Sequence, residues 1–420
     1  MVITTTVAGC ASGLQGSTAS ATDTIKIGYI APRTGAYAGF TDGDLYMLRT
    51  MREQFANGIT VGGKSFKVEI LDRDTGSDPQ KASQIADTLI NQDRVDLILA
   101  TSTPETVNPV SAKCEAEAIP CITTIAPWQA VFFGRGATPE KPLKWTYHFF
   151  FGLEGFAGVD PNAWDQVATN KKVGVLWPND ADGGAFRDPK LGYGPIVAKR
   201  GYTVVDPGKY EDGTKDFSAI IAQFKAAQVE IVAGVPTPPD FVTFWTQAAQ
   251  QGFTPKIATI GKALFFPATV PSIPNNLGEG LSFAAWWGPT FPYKSSITGK
   301  TPAEWIKDYA ASAEGSGKTW NMATPLNEAL FEVAKVALTK SGDPKNRQAV
   351  IDQMPKVKLD TLAGTLDWTG VPTNPVKNVA TIPTVIGQWQ RTGSDWKWIV
   401  VDDKSYPAVP AERPLKPLGS

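Results

Sequence analysis

Residues 25–40, IKIGYIAPRTGAYAGF, decide the fold. The first six, IKIGYI, read as a β-strand. The small residues behind them make a turn, and a helix opens near Asp42 or Asp44. Strands of a parallel sheet point their C-terminal ends at such turns, and ligands gather there. This turn is therefore expected to form one wall of a ligand cleft, with later strand ends as the other walls.

The same unit recurs along the chain. Met47, Met51 and Phe55 follow at helical spacing, and residues 66–71 form an alternating strand before the loop 72–75. Asp78-Pro79 is an N-cap followed by a first-turn proline, and its helix runs to about Gln92. VDLILA (95–100) and 120–124 are strands, with a helix opening at Pro104 between them. From 127 to 147 the period is lost among aromatics, glycines and prolines. It restarts with a strand at 172–177, a polar turn at 179–186 and a helix at 189–200. Strands at 202–206, 229–235 and 256–260 follow, with helices at 216–228 and 240–250 between them. Two runs of four strands, each alternating with helices, argue for two parallel sheets covered on both faces. Beyond residue 281 come helices at 303–313, 322–339 and 347–353, then strands at 384–390 and 396–401. These late pieces must pack onto sheets already laid down, so the chain crosses between lobes more than once and makes a hinge.

Bulk properties exclude several classes. The 40 basic and 41 acidic residues nearly cancel, which removes the basic footprint of a nucleic-acid binder. A length of 420 residues suits two or three cores. The 13 tryptophans are mostly accounted for by core packing. His148 is the one histidine, set in the aromatic run WTYHFFFG and read as structural, so no His-based metal cluster or cofactor is implied. There is no G-x-S-x-G elbow and no G-x-G-x-x-G, and Gly299-Lys300-Thr301 lacks the first glycine of a P-loop. Nothing nominates an enzyme.

Residues 1–24 differ from the rest. Val7-Ala8-Gly9-Cys10 resembles a bacterial lipobox, and the Ser/Gly/Ala-rich tract behind it would be a flexible tether. Cys10 is then a lipidation site and the only link to a membrane. No basic segment precedes it, and a plain leader with an incidental cysteine is the other reading. Cys114 and Cys121 flank a helix end; in an exported protein they form either a disulfide or two buried free thiols.

The Thr34-Gly35 turn after strand one, the D-x-x-x-D-P helix start of Asp74 to Pro79, the Ser/Thr strand end at 101–103 and Ala126-Pro127 after the fourth strand come in a telling order. In that order and spacing the chain resembles the type I periplasmic substrate-binding proteins of ABC transporters, in the branched-chain amino acid-binding group, from about residue 25 to the last strands. The resemblance implies an α/β protein of two doubly wound parallel-sheet lobes joined by a three-segment hinge. One lobe would hold 25–147 and 283–363, the other 148–282 and 364–420. It implies an extracytoplasmic solute-binding component of an importer, whose partners are a small-molecule ligand, a permease and an ATPase. A ligand-sensing domain of the same fold is the alternative, with an enzyme behind it.

On the family's pattern, the first turn supplies Phe40 with Tyr37 close by, and the strand end Thr101-Ser102-Thr103 binds a ligand carboxylate. Thr123, Thr124, Ile125 and Ala126 add backbone and hydroxyl donors, followed by Trp128. The second lobe adds the 179–184 turn, Thr237 and the residue after the 256–260 strand. There the sequence departs from the pattern. Lys262 stands where an acid would grip an ammonium group, and Asp182 stands where an aromatic is expected. Asp182 is either a substitute ammonium partner or a solvated turn residue. The departures point away from a standard α-amino acid and toward a small carboxylate or amide with an aromatic or branched apolar body.

Overall fold

The computed structural model describes residues 24–370 and 374–419; Cys10 lies outside them. Two separate β-sheets organise the chain. The first contains β1 (Thr24–Ala31), β2 (Ile59–Val61), β3 (Lys64–Asp74), β4 (Leu97–Thr101), β5 (Cys121–Thr124) and β6 (Thr146–Phe149). The second contains β7 (Lys172–Pro178), β8 (Thr203–Val205), β9 (Lys209–Tyr210), β10 (Ile231–Gly234), β11 (Ile257–Ile260) and β12 (Ser282–Ala285). β13 (Lys358–Thr361) and β14 (Gly364–Asp367) form a hairpin of their own. β15 (Val379–Ala380) returns to the first sheet, and the hairpin β16 (Val385–Thr392) and β17 (Asp395–Asp402) completes the second. The orders are β15-β6-β5-β4-β1-β3-β2 and β17-β16-β12-β11-β10-β7-β8. The inner pairings of both sheets are parallel, as alternating strands and helices require.

Local sequence explains the best-formed pieces. The Asp78 side chain accepts from the Gln80 and Lys81 amides at 2.7 and 3.1 Å, and Pro79 needs no donor in the first helical turn. The central strand β4, LILAT, is buried throughout, as expected where helices cover both faces. Trp164, Trp177, Trp286, Trp287, Trp305 and Trp389 are fully buried, so packing takes up much of the tryptophan.

Several local expectations give way. The loop expected at 72–75 is mostly strand, because Asp72, Arg73 and Asp74 pair with Tyr29, Ile30 and Ala31 of β1, while the Asp72 side chain pairs with Arg33 and Arg52. The polar turn at 179–186 contains the helix Ala181–Phe186, started by Asp180 accepting from the Gly183 amide at 2.7 Å. The helix at 189–200 shortens to Tyr193–Ala198. In the aromatic break, β6 extends the first sheet beside β5. The expected lobe limits also move. β12 keeps residues up to 285 in the second sheet, and Val379–Ala380, expected in the second lobe, pairs with His148 and Phe149 in the first. The chain therefore passes between sheets within 150–171, after 285 and within 381–384, which gives three crossings. Cys114 and Cys121 are free thiols, both buried. Of the two alternatives the structure therefore shows the buried free thiols, and burial pushes Cys114 up.

Candidate functional site

β1, β4 and β5 of the first sheet and β7, β10 and β11 of the second aim their C-terminal ends at one gap between the lobes. Phe40, Ile125, Pro127 and Phe150 line it from the first lobe's side. Phe156, Phe186, Val235 and Phe265 line it from the other, and the polar wall is Thr103, Asp182 and Lys262. The cavity encloses only about 20 Å³, room for about one water. Phe40 meets Phe266 edge to face across the gap, with ring centroids 4.8 Å apart. The lobes are therefore shut, and an organic ligand enters only when they part. Behind the lining, Trp286 packs on Phe150 at 5.2 Å and on Phe265 at 4.6 Å, tying both walls to the crossing segment.

Three residues just beyond strand ends have left-handed backbone: Ser102 (φ 43°), Ile125 (φ 56°) and Lys262 (φ 44°). None is glycine, and for β-branched Ile125 this is a true outlier. Such residues cost on the order of 1–3 kcal/mol each and persist only where their surroundings over-determine them. Ile125 and Lys262 line the gap and Ser102 immediately precedes the lining residue Thr103, so each turns the chain sharply from strand into lining.

Charge is concentrated on the second lobe's side. Lys262 Nζ lies 2.6 Å from Asp180 Oδ2 and 2.7 Å from Asp182 Oδ2, with side-chain exposures of 5%, 7% and 4%. The same ammonium faces the Tyr37 ring, 5.8 Å from its centroid. Burial pushes the Asp182 carboxyl up to about 7, and the attraction of Lys262 offsets this only in part. Lys262 is held well above its ordinary value, because the fields of Asp182 and Asp180 outweigh desolvation. Lys262 is thus bracketed by two carboxylates.

The expected residues divide. Phe40, Thr103, Ile125, Asp182 and Lys262 line the cavity, and Tyr37 stands beside it. The strand-end hydroxyls mostly turn inward. Thr101 Oγ1 donates to Asn327 Oδ1 at 2.6 Å, and Ser102 Oγ lies 3.1 Å from Thr101 Oγ1. Asn327 Nδ2 donates to Asp44 Oδ1 at 2.8 Å, and Tyr29 OH to Asp44 Oδ2 at 2.5 Å, so these groups form a buried structural network. Thr124 Oγ1 donates to the Phe149 carbonyl at 2.7 Å. Burial lowers His148 to about 4, so the ring is neutral. Its Nε2–H donates to the Ala126 carbonyl at 2.9 Å, leaving Nδ1 to accept from Thr123 Oγ1 at 2.8 Å. Trp128 packs with Phe132, Ala137, Val376 and Val379, and its Nε1 donates to Glu154 at 2.8 Å, away from the cavity lining. Thr237 is buried at a helix start but does not line the cavity. Phe186, two residues beyond the 179–184 turn, places an aromatic in the lining. Phe150, Phe156, Phe265 and the counter-charge Asp180 were not anticipated; the run HFFFG (148–152), which begins inside β6 and runs past its end, is the one sequence signal that pointed near them.

A sequence profile described as periplasmic binding protein matches residues 24–393, most of the chain. The chain belongs to the periplasmic binding protein family. Solved structures agree in fold. A leucine-binding protein from Thermotoga maritima superposes with a TM-score of 0.68 at 18% identity, over 89% of this chain and 97% of that one. A solute-binding protein of an ABC transporter from R. palustris, in complex with 4-hydroxybenzoate, gives 0.71 at 16% identity over 90% and 96%. A branched-chain amino acid transporter substrate-binding protein from Streptococcus pneumoniae, in complex with isoleucine, gives 0.66 at 15% over 90% and 99%. Among the described residues of this periplasmic binding protein no helix is long and apolar enough to cross a membrane.

Proposed function

We propose that this periplasmic binding protein is the extracytoplasmic capture component of an ABC importer. It takes up a small organic solute with an aromatic or branched apolar body between its lobes, closes by hinge motion, and hands the solute unaltered to a permease driven by its ATPase. If Cys10 is lipidated, it tethers the protein to the membrane face. The observation that carries the reading is the gap itself: five phenylalanines from both lobes converge on three polar side chains at the C-terminal ends of two parallel sheets. The similar proteins solved with isoleucine and with 4-hydroxybenzoate support a solute of this size and character. The lining residues Phe40, Thr103, Ile125, Asp182 and Lys262 are the proposed contacts. A thermal-shift screen of amino acids, aromatic acids and amides tests it. A true ligand at 100 times its Kd stabilises by about 2.7 kcal/mol; a screen with no hit, or a hit recovered chemically changed, would refute it.

A further inference from the structure

The polar end of the cavity specifies the head group, an inference that rests on the solute-binding reading. Asp180 spends Oδ1 on the Gly183 amide and Oδ2 on Lys262. Asp182 spends only Oδ2 on Lys262. Its Oδ1 is buried, has no hydrogen-bond partner among the described residues, and belongs to a residue 3% exposed on the cavity wall. A buried carboxylate oxygen left unpaired is costly, and few persist without a purpose. The surrounding field has one sign. Glu105, which accepts from Thr103 Oγ1, and Asp212 both act on this cluster together with Asp180, against a single lysine. A carboxylate entering here would meet an ammonium already paired twice and several acids around it.

We propose that the solute presents an N–H donor, as a carboxamide or an ammonium group, to Asp182 Oδ1, and that Lys262 is the built-in counter-ion that holds Asp182 ready. The acid and base of the site are thus exchanged relative to an arrangement with the acid after β11. A carboxamide fits both partners, with its N–H on Asp182 and its carbonyl oxygen within reach of the lysine's remaining N–H. The phenylalanine walls then take a flat or branched apolar body.

The test uses the full chain and three probes of one body: benzamide, benzylamine and benzoate, with leucine and 4-hydroxybenzoate beside them. Binding is read by calorimetry and thermal shift. Benzamide or benzylamine is expected to bind at least tenfold more tightly than benzoate, and the two show whether the head is neutral or charged. Asp182→Asn keeps the shape and removes the charge, and should weaken the preferred N–H probe at least tenfold, the scale of one hydrogen bond to a charged partner. Lys262→Met is the second variant, expected to weaken the same probe without making benzoate bind. Benzoate or 4-hydroxybenzoate bound more tightly than the N–H probes, or an N–H probe indifferent to Asp182→Asn, overturns the inference. If the aromatic acids or leucine still stabilise the protein in that case, the solute-binding reading survives. If no compound does, both fall.

Discussion

Replacing Lys262 with methionine tests the buried charge triad most severely. The change keeps an unbranched side chain of similar length and the same left-handed backbone, so it removes little beyond the ammonium. Two carboxylates 2.6 and 2.7 Å from that ammonium lose their counter-charge inside the protein. Breaking a buried pair by removing one partner costs about 3–5 kcal/mol. With an unfolding entropy of about 2.1 cal/mol/K per residue, 420 residues give about 0.9 kcal/mol per degree, so Tm should fall by about 3–6 °C at pH 8. The pH dependence has a definite sign. The folded Asp182 value, about 7, lies above its ordinary 3.8, so its protonation favours the folded state. That contribution is complete below about pH 4 and is lost as pH rises through 7. Without Lys262 the carboxyl rises further, so the variant recovers by taking up a proton. Its deficit should be largest at pH 8 and clearly smaller at pH 5.5. Calorimetric scans at both values decide the matter: a deficit below about 1 kcal/mol, or one equal at both pH values, would refute the reasoning.

Three further changes probe the gap and its supports. A Cβ on Gly39 would lie 3.2 Å from the Phe266 ring across the cleft, so Gly39→Val should wedge the lobes apart; overpacking of about 1–3 kcal/mol implies solute affinity lowered roughly tenfold or more, read by calorimetry. Thr101→Val leaves Asn327 Oδ1 without its donor and should cost about 1–3 kcal/mol in denaturant titration, with solute affinity within about twofold of wild type, because the hydroxyl faces the interior. His148 is neutral when folded, with its value depressed from 6.5 to about 4, so its contribution is present above pH 6.5 and lost as pH falls toward 4. His148→Gln should remove up to about 3 kcal/mol of that acid sensitivity, seen as a narrowing gap between wild-type and variant Tm across this window.

Legibility from sequence followed the range of the interactions involved. The alternation that opens with IKIGYI, the Asp78-Pro79 start and the restart at Lys172 are local signals, and each reappears as a strand or helix of one of the two sheets. β6 was hidden because TYHF is buried on both faces and carries no alternation, and Val379–Ala380 is too short to carry any pattern. Strand ends told which backbone reaches the gap, and the family resemblance laid on them named Phe40, Thr103, Ile125, Asp182 and Lys262, which line it. Side-chain direction is set by remote partners. Thr101 turns toward Asn327, 226 positions away, and Thr123 turns toward His148, which no spacing rule reveals. Lys262 was legible as an odd lysine, but Asp180 as its second partner depends on how the helix Ala181–Phe186 is capped.

Small-angle X-ray scattering with and without the solute that gives the largest thermal shift tests the central claim most directly. Two lobes that close on a guest should scatter as a more compact particle when the solute is saturating, with the radius of gyration returning to its larger value on dialysis and the solute recovered intact. An unchanged radius at saturation, or a solute recovered in altered form, would contradict capture by hinge closure.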